Sequence, residues 1–296
     1  MTIIIADKME DDAVEELKKI DTVVYKPENL NKAIEHAKIL IVRSATKVTK
    51  ELISHAKNLK IVARAGVGLD NVDQEACKER GIVIINTPGA SANAVAELTI
   101  GVMITTLRNV QKAHHQMKTG IWDKKGLTGQ EIEGKTLGII GYGRIGSIVG
   151  KKAHALGMEV ISYNPPPRHE DGIIKYIENL EEFLALSDVV TIHVPLIDKT
   201  RNMINKKTIS KMKQNAIIIN ISRGGIVDEE ALYAACKNGK IAGAALDVYD
   251  TEPYKGKLLE LDNICFTPHI GAGTYEAQLR IGKELAQKIK EAMSSV

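Results

Sequence analysis

The sequence of 296 residues contains no apolar run approaching the roughly 20 residues that span a membrane. Its formal net charge is only +3, with Lys and Arg scattered along the chain, so nothing indicates binding to nucleic acid or to an anionic membrane. The N-terminal TIIIA is too short for a secretory signal and lacks a basic segment before it. The three cysteines are far apart and fit neither a metal-ligand spacing nor a disulfide framework: Cys77, Cys236 and Cys265. A cytoplasmic protein with half-buried, reduced thiols and no metal site is therefore expected.

Short runs rich in Ile and Val alternate with amphipathic stretches along the whole chain. The first series of strand candidates lies between residues 2 and 85 and reads TIIIA, TVVY, ILIV, KIVAR and IVII. Stretches with helical periodicity, such as residues 11–20 and 49–55, lie between them. Apolar strands without polar alternation are typical of strands buried on both faces, as in a parallel sheet with helical crossovers.

Residues 91–118 interrupt this alternation and predict one long helix after the turn NTPGA, with Ser91 as its N-cap. A second series of strand candidates follows and reads TLGII, EVISY, VVTIH, AIIINI, GAALDV and NICFTP. Two such series, in a chain whose length suggests about two domains, predict an α/β protein made of two doubly wound parallel-sheet units. The last amphipathic stretch, residues 275–293, is expected to pack back onto the first unit.

A glycine-rich turn follows the first strand of the second series. The segment LGIIGYGRIG places Gly141, Gly143 and Gly146 at the GxGxxG spacing, between a predicted strand and a predicted amphipathic helix. In a dinucleotide site the first glycine makes the tight turn, the second lets the pyrophosphate approach the backbone, and the third lets helix and strand pack closely. The helix N-terminus offers free N–H groups to the phosphates. A tight turn without a ligand is the alternative, and the strand and helix context favours the dinucleotide.

The residue that hydrogen-bonds the ribose 2′-hydroxyl is expected at the end of the next strand, where dinucleotide-binding proteins usually carry an acid. Asn164 occupies that position. Its amide can bind a 2′-hydroxyl but does not repel a 2′-phosphate, so NAD is expected and NADP is not excluded. The prolines Pro165 to Pro167 predict a stiff extended segment, and Arg168 and His169 behind it could meet such a phosphate. The same segment is equally compatible with a solvent-exposed connector.

A cation, an acid and an imidazole each follow a predicted strand of the second series. Arg223 follows AIIINI, Glu252 follows GAALDV, and His269 follows NICFTP. The carboxyl ends of parallel strands line the ligand crevice of such a sheet, so the three are expected together. His269 would exchange a proton with the C2 hydroxyl, Glu252 would orient the imidazole, and Arg223 would hold the substrate carboxylate. Singly, each could be an ordinary surface or turn residue. Together they predict chemistry between 2-hydroxy and 2-oxo acids.

Three blocks of sequence resemble the D-isomer-specific 2-hydroxyacid dehydrogenase family: GIIGYGRIGSIVGKKAHALGMEVISYNP, NISRGGIVDEEAL and TPHIGAGTYEAQ. The likeness covers essentially the whole chain, and VRSATKVT and ARAGVGLDNVD resemble the substrate loops of its phosphoglycerate-oxidising branch. The resemblance implies a Rossmann-type dinucleotide-binding domain over residues 89–270. It also implies a flavodoxin-like substrate-binding domain over residues 1–88 plus 271–296, with a cleft between the two. A homodimer through the cofactor domains, with the long helix from Ser91 in the interface, is expected as well.

The resemblance also implies roles for individual residues. The family's catalytic Arg, Glu and His correspond to Arg223, Glu252 and His269. Its cofactor contacts correspond to Gly141, Gly143, Arg144, Ile145, Gly146, Asn164, His193, Pro195, Thr200, Ser222 and Asp247. Within that set, His193 to Pro195 would border the adenine and Asp247 the nicotinamide carboxamide. The substrate-binding positions correspond to Arg43, Arg64, Ala65, Gly66, Val67, Gly68 and Ser91. The two arginines match positions associated with a phosphate-bearing substrate.

The implied activity is the NAD-dependent oxidation of D-3-phosphoglycerate to 3-phosphohydroxypyruvate, the first step of serine biosynthesis. One alternative is a glyoxylate or hydroxypyruvate reductase able to use NADPH. Another is a dinucleotide-sensing binding protein, because the same fold also serves a transcriptional corepressor. Two departures from the family pattern bear on these readings. NAD-binding members typically carry Asp where this chain has Asn164, and the sequence ends at Val296 without the C-terminal regulatory module of larger members. Feedback through such a module is not expected.

Overall fold

The computed structural model describes residues 2–165 and 172–294 of the chain. The elements up to residue 118 are β1 (Thr2–Ile5), α1 (Asp11–Lys18), β2 (Thr22–Tyr25), α2 (Leu30–Ile34), β3 (Ile39–Val42), α3 (Lys50–His55), β4 (Ile61–Arg64), α4 (Gln74–Glu79), β5 (Val83–Asn86), α5 (Ala92–Leu107) and α6 (Val110–Lys118). The remainder comprises β6 (Thr136–Ile140), α7 (Arg144–Ala155), β7 (Glu159–Tyr163), β8 (Ile174–Tyr176), α8 (Leu180–Leu186), β9 (Val189–Ile192), α9 (Lys206–Lys211), β10 (Ala216–Asn220), α10 (Glu229–Lys237), β11 (Ile241–Leu246), β12 (Ile264–Phe266) and α11 (Tyr275–Met293). Single 3₁₀ turns lie at Lys125–Leu127 and Lys257–Glu260.

The first compact unit comprises Met1–Ala94 and Ala272–Val296. Its five parallel strands have the order β2-β1-β3-β4-β5, which is the flavodoxin-like order. Every residue of β3 is buried, as expected for a central strand covered on both faces. Helices α1 and α11 cover one face together, and Gly282 of α11 lies so close to Ala13 of α1 that a Cβ on the glycine would overlap it. The C-terminal helix therefore completes the core that the N-terminal residues begin.

The second compact unit comprises Val95–Gly271. Its seven parallel strands have the order β12-β11-β10-β9-β6-β7-β8, which is the Rossmann order with β12 added at one edge. Strands β9 and β10 are completely buried, because apolar clusters cover both faces of the sheet. The two sheets confirm the predicted α/β class with two doubly wound units. Strand order reverses between β6 and β9, which is the kind of position where such sheets bind ligands.

The prediction of a single helix over residues 91–118 is wrong. Helix α5 begins directly after Ser91 and ends at Leu107, and α6 begins at Val110. Between them Asn109 has a φ of 53°, in the left-handed region that asparagine tolerates better than most residues. The short strand β8 was not predicted from the sequence, since three residues give too little pattern.

The structure also bears on the thiols and on membrane insertion. All three cysteines are free, and two of them, Cys77 and Cys236, are fully buried rather than half-buried. Burial raises the pKa of the Cys236 thiol to about 12, so this thiol is unreactive at ordinary pH. None of the described helices is long and apolar enough to cross a membrane.

Candidate active site

The glycine-rich turn joins β6 to α7 at the C-terminal edge of the second sheet. Gly141 has a φ of 92°, and a Cβ there would lie 2.6 Å from Val194 Cγ1 and 2.7 Å from His193 O. At Gly146 a Cβ would overlap Gly141 O, so the first turn of the helix packs directly on the end of the strand. At Gly143, by contrast, nothing lies within 4 Å of the Cβ position. The turn is therefore tight on its protein side and open on its other side.

The N-terminus of α7 is suited to an anion. Gly143 is its N-cap and offers no side chain to satisfy the first N–H groups of the helix. The first turn starts with Arg144, which is exposed, and Ile145, which is half-buried. Free N–H groups, the positive end of the helix dipole and the open space at Gly143 together fit the pyrophosphate of a dinucleotide. The residues present thus fit NAD.

Asn164 lies directly after β7, beside the glycine-rich turn. Its Oδ1 accepts a hydrogen bond from Tyr142 N at 3.3 Å, and its Nδ2 donates to Pro165 O at 3.0 Å. The amide is therefore tied to the backbone of the turn itself. The other residues predicted to influence cofactor choice lie outside the described residues: Pro166, Pro167, Arg168 and His169.

The segment predicted to border the adenine follows β9. His193 Nε2 lies 3.0 Å from Thr191 Oγ1, whereas Nδ1 is buried and has no hydrogen-bond partner within residues 2–165 and 172–294. Burial lowers the pKa of His193 to about 3, which keeps the ring neutral. The hydroxyl of Thr200 donates to Pro195 O at 2.7 Å and accepts from Ile197 N at 2.8 Å, so it closes the following loop into a turn.

Arg223 is presented by a loop that Asn220, the last residue of β10, organises. The Asn220 side chain is 2% exposed; it accepts from the N and Oγ of Ser222 at 3.1 and 2.8 Å and donates to Arg223 O at 2.8 Å. The Arg223 guanidinium donates to Ser222 O at 2.6 Å. Gly224 then lies against Tyr249 O, which a Cβ would overlap. The ordering of this loop by Asn220 was not predicted; a lone polar residue ending an apolar strand was its only signal.

Glu252 and His269 form a pair at the ends of β11 and β12. His269 Nδ1 lies 2.9 Å from Glu252 Oε2 and 3.2 Å from Oε1, and the two side chains are 45% and 39% exposed. Tyr249 N donates to Glu252 Oε1 at 3.3 Å and fixes the carboxylate in turn. With its proton on Nδ1, the imidazole keeps Nε2 for a reacting group. An oriented imidazole backed by a carboxylate is the arrangement of a general acid and base.

Asp247, at the end of β11, is 1% exposed. Its Oδ1 accepts from Thr267 Oγ1 at 2.6 Å and from Ile270 N at 2.7 Å, and its Oδ2 accepts from Gly271 N at 2.8 Å. These donors belong to the loop that carries His269. The structure thus brings the site residues after β6, β7, β9, β10, β11 and β12 to one edge of one parallel sheet.

In the first unit, Arg43 and Arg64 stand at the ends of the neighbouring strands β3 and β4. Arg43 N donates to Asp7 Oδ2 at 2.6 Å and its Nη1 to Lys8 O at 3.1 Å. The Arg64 guanidinium lies back over Gly66, which has no Cβ to obstruct it.

The loop after Arg64 was predicted to cradle an anion with four N–H groups. Two of these groups are committed within the backbone, since Ala65 N donates to Val42 O and Gly66 N to Arg64 O. The N–H groups of Val67 and Gly68 have no acceptor among the described contacts, and both residues are half-buried. The cradle is therefore smaller than predicted. Ser91, also predicted to bind substrate, is 1% exposed.

A family model described as D-isomer specific 2-hydroxyacid dehydrogenase, NAD binding domain, matches residues 100–271, which is more than half of the chain. The chain belongs to this family. The matched residues lie within the second unit, where the glycine-rich turn and the His269–Glu252 pair are found. The predicted family, the predicted class of oxidoreductase and the predicted NAD cofactor are confirmed.

Individual relatives of this dehydrogenase carry different names. Hydroxypyruvate reductase of Thermotoga maritima is 50% identical over 266 residues, 88% of this chain and 87% of the relative. D-3-phosphoglycerate dehydrogenase of Methanocaldococcus jannaschii is 46% identical over 300 residues, 98% of this chain and 57% of the relative. This chain thus spans little more than half the length of that second relative. The structure of D-lactate dehydrogenase from Aquifex aeolicus, in complex with NAD and lactic acid, superposes with a TM-score of 0.86 at 30% identity, covering 100% of this chain and 96% of that one.

Proposed function

We propose that this dehydrogenase oxidises D-3-phosphoglycerate to 3-phosphohydroxypyruvate with NAD, the first step of serine biosynthesis. The observation that supports the reaction type is the hydrogen-bonded pair of His269 and Glu252, at 2.9 Å, beside the ordered loop of Arg223. The three side chains follow β12, β11 and β10, which are neighbours in one sheet. Their donors and acceptors match a 2-hydroxy acid: a base for the hydroxyl and a cation for the carboxylate.

Each residue has a defined task in this reaction. When bound, NAD would supply the acceptor for the hydride of C2. His269 Nε2 removes the proton of the C2 hydroxyl, and Glu252 stabilises the resulting imidazolium through Nδ1. Arg223 holds the substrate carboxylate and stabilises negative charge on the C2 oxygen. In the reverse direction the imidazolium returns its proton to the oxygen.

The phosphate of the substrate is assigned to Arg43 and Arg64. Arg43 directly follows β3 and Arg64 ends the adjacent parallel strand β4, so both arginines stand at the same edge of the first sheet. Guanidinium groups bind phosphate in a bidentate manner that lysine cannot reproduce. The free N–H groups of Val67 and Gly68 suit an anionic group of the substrate as well.

A second candidate function is the reduction of hydroxypyruvate or glyoxylate. The relative from Thermotoga maritima that carries the name hydroxypyruvate reductase favours it, because the match extends over most of both chains. Hydroxypyruvate lacks the phosphate of 3-phosphohydroxypyruvate but presents the same 2-oxo acid to His269 and Arg223. The two candidates therefore differ in the use of Arg43 and Arg64 and share the acid–base pair.

Steady-state kinetics with a panel of acids and both nicotinamide cofactors tests the proposal. The phosphorylated substrates should exceed D-glycerate and hydroxypyruvate in kcat/KM by roughly 10- to 100-fold, the value of one charged hydrogen bond. Exchange of His269→Gln should abolish turnover and leave NADH affinity unchanged. Brisk reduction of hydroxypyruvate or glyoxylate with negligible oxidation of 3-phosphoglycerate would establish the second candidate. NADH binding without turnover of any acid would instead indicate a dinucleotide-binding protein.

We also propose that the chain forms a homodimer through the second unit. Helix α6 has no buried residue, and large apolar side chains on it and after it are exposed, among them Met117 at 58% and Trp122 at 74%. Contiguous exposed apolar groups are typical of interaction sites. Sedimentation equilibrium should give twice the 32.3 kDa of one chain, and Trp122→Glu should shift the mass toward the monomer. A monomeric wild-type protein at micromolar concentration would contradict the proposal.

A further inference from the structure

We propose that Asp247 is a positioning residue for His269, a role that rests on the proposed function of the His269–Glu252 pair. The Asp247 carboxylate is buried at the end of β11, one strand away from the histidine. It does not contact the imidazole directly. It acts through the backbone of the loop in which His269 is embedded.

Among the described residues, the three hydrogen-bond donors to the Asp247 carboxylate all belong to that loop. Thr267 lies two residues before the histidine, and Ile270 and Gly271 are the two residues directly after it. One carboxylate thus accepts hydrogen bonds from both sides of His269, at 2.6, 2.7 and 2.8 Å. Hydrogen bonds to an ionised acceptor in a buried site are the strong ones.

The backbone of His269 needs such support. Its φ is 53°, in the left-handed region, which costs a residue with a side chain about 1–2 kcal/mol. A residue in a disfavoured conformation persists only where its surroundings determine it. Here the conformation places Nδ1 at 2.9 Å from Glu252, so the loop geometry and the acid–base pair depend on each other.

An amide cannot replace this carboxylate. With the amide oxygen at the Oδ1 position, the Asn Nδ2 group would point its hydrogens at the Gly271 N–H. With the amide reversed, the Nδ2 group would meet the Ile270 N–H instead. Either orientation of Asp247→Asn loses at least one hydrogen bond and brings two donors together, so the loop should relax and His269 should leave its position against Glu252.

Family resemblance assigns Asp247 a contact with the nicotinamide carboxamide, and the two roles have different kinetic signatures. A positioning role affects the chemical step, whereas a cofactor contact affects dinucleotide affinity. For Asp247→Asn we expect a roughly 10- to 100-fold fall in kcat, because a misplacement of about 1 Å has that effect. The pH midpoint of kcat should shift, and the Kd for NADH should change by less than about threefold. The exposed acid Asp262 provides a matched control, and Asp262→Asn should leave all three quantities unchanged.

Two further measurements keep the proposal testable if Asp247→Asn fails to fold or the substrate panel shows no turnover. Thr267→Ser keeps the hydroxyl donor and should behave as wild type, whereas Thr267→Val removes it and should shift the kcat profile in the direction of Asp247→Asn. The ring resonances of His269, assigned with His269→Gln, should titrate at a shifted pH in Asp247→Asn or Thr267→Val without any substrate. Unchanged kcat and ring titration, or a more than tenfold loss of NADH affinity with an unchanged pH profile, would overturn the positioning role.

Discussion

Side chains introduced at two glycines of the dinucleotide turn should have different effects. A side chain at Gly146 should lower the stability of the protein, whereas one at Gly143 should weaken dinucleotide binding. At Gly146 a Cβ would lie closer than 3.0 Å to Gly141 O and 3.1 Å from Ile139 Cγ2. The carbonyl belongs to the backbone and cannot rotate away, so Gly146→Ala must displace the helix. Such overpacking costs about 1–3 kcal/mol, against at most about 1 kcal/mol that alanine gains in a helix. Because the obstructing atom is backbone, the cost lies in the upper part of that range, at about 2–3 kcal/mol. The net loss of about 1–2 kcal/mol should lower Tm by roughly 2–8 °C for a unit of this size.

Gly143→Ser should instead preserve or slightly raise stability. The Cβ enters open space, the residue has extended backbone angles, and serine is a better N-cap than glycine by a few tenths of a kcal/mol. The serine hydroxyl would, however, occupy the N–H groups that the pyrophosphate needs. The loss of one charged hydrogen bond, about 1.5–3 kcal/mol, corresponds to roughly 10- to 100-fold weaker NADH binding.

Thermal unfolding and NADH fluorescence titration on the same preparations separate the two effects. The expected pattern is a destabilised Gly146→Ala protein and a stable Gly143→Ser protein with weak dinucleotide binding. A Gly143→Ser protein that binds NADH as tightly as wild type would refute the assignment of the α7 N-terminus as the pyrophosphate site. An unchanged Tm in Gly146→Ala would refute the packing argument.

Cofactor choice and acid stability provide two more predictions. Asn164→Asp keeps an acceptor for Tyr142 N and adds a charge that repels a 2′-phosphate, so the NAD/NADP ratio of kcat/KM should rise roughly 10-fold or more; an unchanged ratio would mean that another part of the loop governs the choice. His193, whose pKa burial lowers from 6.5 to about 3, binds a proton between these values only in the unfolded chain, so stability should fall on acidification through this window. Between pH 6.5 and 5 the free energy of unfolding should fall by at most about 2 kcal/mol because of this group. Denaturant unfolding should show a smaller fall in His193→Gln, whereas the exposed control His154→Gln should show the same fall as the wild type. Equal pH slopes in the wild type and both variants would contradict this role of the His193 ring.

The parallel sheets were predictable because their strands are buried on both faces. A strand such as Ala216–Asn220 is apolar except for its last residue, and its composition alone identifies it. The position of a residue directly after such a strand then fixes its place at one edge of the sheet, which is why Arg223, Glu252 and His269 could be grouped before any geometry was known. The glycine spacing was informative for a similar reason, since it depends on backbone approach and not on distant partners.

The buried hydrogen bonds around the site could not be predicted in this way. Asp247 and Asn220 act on backbone N–H and C=O groups, which every residue carries, so the sequence holds no signal for their partners. The break at Asn109 was missed because an asparagine in an otherwise helical stretch is compatible with either backbone conformation. The anion cradle at Ala65 and Gly66 is smaller than predicted for the same reason, because the sequence does not show that the N–H groups of these two residues have carbonyl acceptors.

The return of α11 to the first unit has a consequence for the order in which the protein acquires its structure during translation. More than half of the chain separates β5 from α11, so at about 5–20 residues per second the ribosome needs on the order of ten seconds or more to deliver the helix. Until then the apolar face of α1, including Ala13 and Leu17, lacks the cover that Ile281 and Leu285 later provide. The contiguous residues Val95–Gly271 form a compact unit that is synthesised completely before α11. The residues of the N-terminal sheet are thus synthesised before the second unit but completed after it, and in that interval the apolar face of α1 stays uncovered.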